Sequence, residues 1–428
     1  LQKLVTENKV KAWNLPIGTL AQLLREIAAK RPGVITKIGL NTFVDPRLQG
    51  GKMNDITDED LVELMEIDGE EYLRYKPFKQ INVGFIRGTY ADENGNLTMD
   101  KEAAFLEALP MAEAVKNTGG IVIAQVEDIV QNGTLDPKDV KVPGIMVDYV
   151  VKGTPANHWQ TYMDPYKPEF SGQIKKPLDA LTPMPLNARK VISRRAAMEL
   201  VPNAILNLGI GIPEGVANVA NEEGISGLKM TVEAGNIGGV PASGVGFGAA
   251  TNPEATVDSP ALFDFYDGGG LDEAFLGLAE CDRNGNINVS RFGPKIAGCG
   301  GFINITQSTP VVVFCGTFTA KGLKEEFGNG TLTIVNEGQV KKFKNDVEQI
   351  TFSAEYAKKS GQKVMYITER AVFELRDGVF TLTEIAPGID LQKDVLDQMD
   401  FVPAVADDLK IMDERIFMDK PMGLSSKS

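Results

Sequence analysis

The chain has 428 residues, of which 43% are apolar and 24% charged, and a formal net charge of −14. That length exceeds one ordinary core and predicts two or three domains. The acidic balance argues against nucleic acid or an anionic membrane surface as a partner, since both call for basic footprints, and no run approaches the length of a membrane span.

The chain opens at Leu1 rather than at a methionine. The expectation is a first domain that is incomplete at its start, with an uncovered apolar sheet edge or face near Leu1 to Thr19. Pro16 and Gly18 punctuate the start of a helix whose buried stripe is Leu20, Leu23, Leu24 and Ile27. Residues 34–40 are a strand candidate. Arg47 and Lys52 follow in a Gly/Pro-rich loop, where they either meet phosphates or, more commonly, are solvated. The acidic stretch 58–64 predicts a short helix. Residues 80–86 predict a strand leading to Asn94-Gly95, a strong hairpin signal. A helix over 101–116, a buried strand over 121–126 and a strand over 145–151 come next.

Residues 163–187 contain Pro165, Pro168, Pro177, Pro183 and Pro185 with little periodicity, which predicts a linker. This divides the chain into a first domain (1–165), a linker (166–187) and a second domain (188–428). The second domain begins as helix (188–200), strand (204–208) and helix (214–221). Its Gly209-Ile210-Gly211-Ile212-Pro213 turn lacks the third glycine and the ribose-binding acid of a dinucleotide fingerprint. An apolar strand over 228–232 then ends on Glu233, followed by a loop rich in glycine that includes Gly235, Gly238 and Gly239. Beyond residue 320, strands are predicted at 332–335, 364–367, 372–375 and 379–385, then a helix over 391–399 and a polar tail.

The second domain echoes the first. Asp92-Glu93-Asn94-Gly95-Asn96-Leu97 is matched by Asp282-Arg283-Asn284-Gly285-Asn286-Ile287. The next apolar strand opens at the same distance from each turn, at Ile121 and at Val311. Equal spacing predicts two copies of one α/β fold.

With one histidine and three cysteines that lack metal-ligand spacing, acid, base and nucleophile chemistry falls to a carboxylate or a thiol. Glu233 is the first candidate, because α/β folds place reactive groups at the C-terminal ends of strands. Two further glycine-bearing segments, 264–270 and 298–302, are expected beside it. Glycine runs supply unobstructed backbone N–H donors for an oxyanion, and a carboxylate can act as a covalent nucleophile. Cys281, Cys299 and Cys315 are more often buried small hydrophobes, in a reducing setting, and His158 a structural histidine.

The motifs Glu233-Ala234-Gly235, Asp267-Gly268-Gly269-Gly270-Leu271-Asp272, Asn284-Gly285-Asn286, Arg291-Phe292-Gly293-Pro294 and Gly298-Cys299-Gly300-Gly301-Phe302 resemble the family I coenzyme A-transferases. So do residues 39–47 and 87–92, and the similarity runs over essentially the whole chain. The branch it resembles is the acetate/propionate and acyl-CoA:acetate/3-ketoacid one, of short-chain fatty acid and ketone-body metabolism. The resemblance implies two tandem open α/β domains of the NagB/RpiA/CoA-transferase-like type, with the site in the cleft between them. It implies that Glu233 attacks an acyl-CoA thioester, passes through a mixed anhydride to a glutamyl-CoA thioester, and hands CoA to a second short-chain acid. Coenzyme A is then a co-substrate, with no resident cofactor and no metal.

The resemblance places Gly300 and Gly301 near the reacting carbonyl and makes Gly235, Gly238, Gly239 and Lys321 candidate CoA contacts; Lys324 is a further phosphate candidate or a solvated helix start. The family's Pro-Gln-Gly motif reads Pro16-Ile17-Gly18 here. Ile17 has no side-chain donor, so either another group such as Gln22 completes the oxyanion hole or Ile17 shapes the substrate space. A cytoplasmic homo-oligomer is the family expectation. Two rivals stay open: a thioester hydrolase using the same glutamate, and a sugar-phosphate isomerase or ligand-binding regulator on the same fold.

Overall fold

Two parallel strand pairs built around the same turn organise the molecule, in a computed structural model that describes residues 1–177 and 183–424. In the first, Val83–Asp92 runs parallel to Ile121–Val130 from the register pair Val83↔Ile121. In the second, Glu273–Gly277 runs parallel to Val311–Cys315 from Glu273↔Val311, the same offset along the chain. Each leading strand enters the Asn-Gly hairpin, closed at Ala91↔Leu97 and at Cys281↔Ile287. Gly95 and Gly285 sit at φ 83° and 88°, a conformation that only glycine takes without strain. In both copies an aspartate locks the turn. Asp92 accepts from the N–H groups of Asn94 and Asn96 and from the Asn96 amide, and Asp282 accepts the same three bonds from Asn284 and Asn286. The predicted duplication holds in the register of the parallel pair and in the turn, while the strand entering the second hairpin, Glu280–Asp282, lies in a separate three-stranded sheet.

The second copy sits in a ten-stranded sheet. Lys229–Val232, Ile205–Leu208, Glu273–Gly277, Val311–Cys315 and Lys363–Ile367 form its parallel centre. These strands are apolar runs because helices cover both faces. Among the covering helices are Ala188–Ala197, capped by the Asn187 side chain on Lys190 N–H, and Gly215–Glu222. The first copy has five strands, and the helix Ala108–Asn117 covers one face through Ala112 and Val115. Its other face is open, with Phe85 77% and Tyr149 60% exposed. The uncovered apolar sheet edge or face expected near Leu1 to Thr19 is not found there: residues 2–6 form the helix Gln2–Thr6, and Val5 and Leu15 are buried while Leu1, Leu4 and Ile17 are exposed.

Residues before Lys76 form a small antiparallel sheet in the order Val34–Thr36, Glu70–Tyr75, Val62–Ile67. Where a helix is expected over 58–64, residues 58–61 are irregular and a strand begins at Val62. Its signal is Asp68-Gly69, a two-residue turn with both φ values positive (53° and 82°) between Ile67 and its partner Glu70. This sheet leans on the second unit. Val5, Leu15, Phe43 and Val44 share a core with Cys299 and Ile303, and Gln307 bonds Gly39 N–H and Leu40 O.

Other boundaries also move. The helix expected over 101–116 begins at Ala108, Lys324 opens a strand hairpin rather than a helix, residues 391–398 form two short non-α turns, and a strand forms at Ala404–Ile411 where the pattern predicts none. Part of the expected linker, residues 178–182, and the end of the polar tail lie outside the described residues. The described linker is tied down: Asn252 N–H meets Glu169 O, and its side chain bonds the Lys176 backbone in both directions. Among the described residues no helix is long and apolar enough to cross a membrane.

Candidate active site

Glu233 follows the strand Lys229–Val232, and the chain at once folds back so that Asn236–Ile237 pairs antiparallel with Thr231–Val232. The reversal needs Gly235, whose φ is 119° and whose missing Cβ would lie 1.9 Å from the Val257 carbonyl. The strand end is held from beneath: Tyr266 OH donates to Thr231 Oγ1 at 2.7 Å, Asn207 Nδ2 to Thr231 O at 3.2 Å, and Ser259 Oγ to Glu233 O at 3.0 Å.

The Glu233 side chain points at the Gly300-Gly301 pair. A Cβ on Gly301 would lie 2.2 Å from Glu233 Oε2 and 3.1 Å from Phe263 Cζ, so a side chain there would displace the carboxylate from this contact. Burial among these groups pushes the Glu233 carboxyl up to about 7, while the N–H of Gly301, donating to it, pulls the other way. Glu233 nevertheless keeps partial solvent access. A poorly solvated carboxylate with one backbone donor has the chemistry of a nucleophile in acyl transfer.

The Pro16-Ile17-Gly18 turn does reach this site, through its backbone. Ile17 N–H donates to Gly300 O at 2.9 Å, Gly18 N–H to Asn304 Oδ1 at 3.2 Å, and a Cβ on Gly18 would collide with the Phe263 ring at 2.3 Å. The Ile17 side chain is 43% exposed. Gln22 does not replace the expected donor: its amide is bound to Asp264 at 3.1 Å and Asp267 at 2.8 Å.

Of the glycine segments, 298–302 meets Glu233. Gly268 and Gly269 instead close the helix Ser259–Asp267, donating to Asp264 O and Tyr266 O. Gly235 and Gly238 commit their N–H groups to Val232 O and Met230 O, and Gly238 and Gly239 pack on Glu254 and on the Thr251–Asn252 backbone. Lys321 is exposed in a turn (φ 60°) whose carbonyl accepts from Gln339 N–H, outside this cluster. Arg47 is paired with Asp45 and Glu71, and Lys52 with Asp60. The three cysteines are buried and unpaired, and burial pushes the Cys299 and Cys315 thiols up to about 12. His158 Nδ1 lies 3.3 Å from Gln125 Oε1, and burial lowers its pKa. Sequence reasoning misses Phe263, Ser259 and Asn304. Their neighbours are distant in the chain, and only the Tyr266-Asp267 part of a quoted segment points there.

The Glu233 loop borders two cavities. One, of about 310 Å³, is mainly apolar and lined by Met99, Phe105, Leu106, Ala234, Phe247 and Gly248 among others. The other, of about 620 Å³, has Arg189, Glu214 and Ser243 in its wall.

A family model described as Coenzyme A transferase matches residues 1–153. The chain is 54% identical over its whole length to the caffeate CoA-transferase of Acetobacterium woodii, covering 82% of that protein. It is 47% identical to the acetate CoA-transferase YdiF of Escherichia coli strain K12, over 99% of this chain and 80% of that one. The solved structure of acyl-CoA transferase YdiF from E. coli O157:H7, a thioester complex with CoA, superposes with a TM-score of 0.91 at 47% identity. That match covers 99% of this chain and 80% of the other.

Proposed function

The chain belongs to the family I coenzyme A-transferases and is an acyl-CoA transferase, and from that premise we propose that Glu233 is the nucleophile that carries CoA between two carboxylic acids. Glu233 attacks the thioester carbonyl of an acyl-CoA. The C–S bond breaks, CoA leaves as the thiolate, and a glutamyl–acyl anhydride remains. The thiolate then attacks the glutamyl carbonyl and expels the first acid, giving a glutamyl-CoA thioester. An incoming carboxylate runs both steps in reverse, which is a ping-pong sequence. The observation that carries this reading is the Glu233 carboxylate lying against Gly301, where a Cβ would meet Oε2 at 2.2 Å and where the backbone offers an unobstructed N–H for an oxyanion.

The acids are small carboxylates of the acetate, propionate and 3-ketoacid kind. Support for compact substrates comes from the modest apolar cavity beside Ala234 and the 47% identical acetate transferase, while the 54% identical transferase is named for caffeate, a larger aromatic acid, so a panel of acids of both sizes tests the choice. A homo-oligomer in a cytoplasmic setting completes the proposal; three unpaired, buried thiols support a reducing compartment, and light scattering tests the assembly.

The test of the nucleophile is direct. Protein incubated with acyl-CoA and no acceptor gains the mass of CoA less water on the peptide that carries Glu233. Cys281→Ala, Cys299→Ala and Cys315→Ala variants keep turnover near normal. An adduct on a cysteine overturns the assignment.

A further inference from the structure

We propose that Asp267 and Asn304 are positioning residues for the transfer reaction, which, with the Ile17 and Gly18 amides, hold the Gly300–Gly301 peptide with its N–H facing Glu233. The proposal rests on the reading of Glu233 as nucleophile.

The Gly300–Gly301 peptide unit carries both contacts that matter. Its carbonyl accepts from Ile17 N–H at 2.9 Å, and its N–H is that of Gly301, against which the Glu233 carboxylate lies so closely that a Cβ there would meet Oε2 at 2.2 Å. In a trans peptide the C=O and N–H point in opposite directions. Holding the carbonyl on Ile17 therefore aims the N–H at the carboxylate, and a rotation of the unit would turn the donor away. Gly300 at φ 51°, with glycine on both sides of the bond, resists such a rotation weakly. The restraint has to come from Ile17, and so from whatever fixes the first turn of the helix Ile17–Ala28.

That turn is fixed by a two-ended amide. Asn304 is fully buried in the helix Phe302–Ser308, which starts directly after Gly301. Its Oδ1 accepts from Gly18 N–H at 3.2 Å. Its Nδ2 donates to Asp267 Oδ1 at 3.0 Å and Oδ2 at 3.3 Å, and lies 3.4 Å from Thr19 Oγ1. Gln22 Nε2 adds a further bond to Asp267 Oδ2 at 2.8 Å. An ionised carboxylate only accepts. Asp267 therefore holds the NH₂ end of Asn304 toward itself, which leaves the oxygen end for Gly18 N–H. Replacing Asp267 by asparagine leaves one acceptor oxygen, for which Gln22 Nε2 and Asn304 Nδ2 compete, and puts an NH₂ where the second oxygen was. The Asn304 amide is then free to turn over and present NH₂ to Gly18 N–H, two donors face to face. Ile17 is released with Gly18, and the Gly300 carbonyl with Ile17. The first unit thus enters the chemistry through backbone amides and this polarity relay.

The test is an exchange of the two end groups, and it uses the full chain. Asp267→Asn sets two amides against each other and Asn304→Asp sets two carboxylates. Each lowers kcat on the order of 100-fold, the size of effect seen when one oxyanion donor is lost, with KM for acyl-CoA little changed. The double variant D267N/N304D restores a donor facing a carboxylate. The carboxylate introduced at position 304 accepts both from Gly18 N–H and from the amide introduced at position 267, so kcat recovers most of the loss. A residue with a merely structural role would not give a kcat-only loss reversed by the swap. The proposal is overturned if Asp267→Asn turns over at the wild-type rate, or if the swapped double variant is no faster than the slower single variant. Where a single variant fails to fold, the double variant decides alone, and its failure to fold or turn over counts against the relay. Mass mapping of wild-type protein separates the two readings. No CoA adduct on Glu233 removes the nucleophile, whereas an adduct together with unimpaired Asp267→Asn removes only the relay.

Discussion

The two units share a turn down to its hydrogen bonds and differ in what flanks the strand leading into it. In the second unit, Glu273–Phe275 is flanked by Leu206–Leu208, and beyond these lies Lys229–Val232, which ends at Glu233. In the first unit the register partners of Val83–Gly88 are all on Ile121–Val126, and the apolar face around Phe85 is open. The duplicated part is scaffold, and the nucleophile sits two strands away from it. The first unit instead supplies wall and backbone: Leu106 O accepts from Ser259 N–H, and Ala103 O accepts from Asn236 Nδ2, both beside the Glu233 loop. A copied turn thus identifies the architecture, while the chemistry follows from what only one copy has.

The largest expected effect breaks or confirms that asymmetry. Glu233→Gln abolishes CoA exchange, because a neutral amide cannot form the anhydride. Glu233→Asp keeps a carboxylate but withdraws it by roughly 1 Å, at a loss on the order of 100-fold in rate. Exchange assays with matched protein concentrations check both. Persisting exchange in Glu233→Gln would place a second nucleophile in the molecule and end the one-sided reading.

Burial of the same carboxyl makes a stability prediction that no residue of the first copy's turn shares. The folded chain holds the Glu233 proton up to about pH 7, against an ordinary value of 4.5. The stability this confers is complete below pH 4.5 and lost as pH rises through 7. Above pH 7 the wild-type protein carries the cost of a buried charge, and Glu233→Gln removes that cost. Glu233→Gln is therefore more stable than wild type at pH 8 by up to about 3 kcal/mol, and nearly equal to it at pH 4. Urea unfolding at the two pH values measures the gap, and a gap independent of pH would show that burial does not hold the carboxyl up.

What is legible in the sequence is local. Glu233 at a strand end, the glycines that fold the chain back after it, and the paired Asn-Gly turns each depend on a few consecutive residues. The helix wrongly expected over 58–64 shows the limit of composition: Asp58, Glu59 and Asp60 suggest a first turn, while the decisive signal is Asp68-Gly69 further on. Gln22 is a candidate donor because it is near Ile17 in the chain, but its amide is taken up by Asp264 and Asp267, 242 and 245 residues away. Asn304 is invisible for the same reason, since its role exists only where Gly18 and Asp267 converge on it. The candidate CoA contacts among the loop glycines come from the family pattern, and in the structure the N–H groups of Gly235 and Gly238 have backbone partners.

The smallest effect tests whether the two turns differ physically although their bonds match. Burial pushes both aspartates up and the Asn-Gly turn pulls both down. At Asp92 the bonds from Asn96 and Asn94 win and the pKa is lowered, whereas at Asp282 burial wins and the pKa is raised. The signs of their pH dependence are therefore opposite. Asp92 contributes stability that is present above its unfolded pKa and lost as pH falls through the folded value. Asp282 contributes stability that is present at low pH and lost as pH rises through its folded value. At pH 7 Asp92→Asn destabilises by on the order of 1 kcal/mol more than Asp282→Asn, because it loses charge-assisted bonds that the fold favours. On acidification the Asp92→Asn deficit shrinks and the Asp282→Asn deficit grows. Denaturant unfolding of the two variants beside wild type, at pH 7 and near pH 4, reads out both trends. Parallel trends would mean that the two turns sit in equivalent surroundings, so that the asymmetry between the units would begin only beyond the turn, at the strands that lead to Glu233.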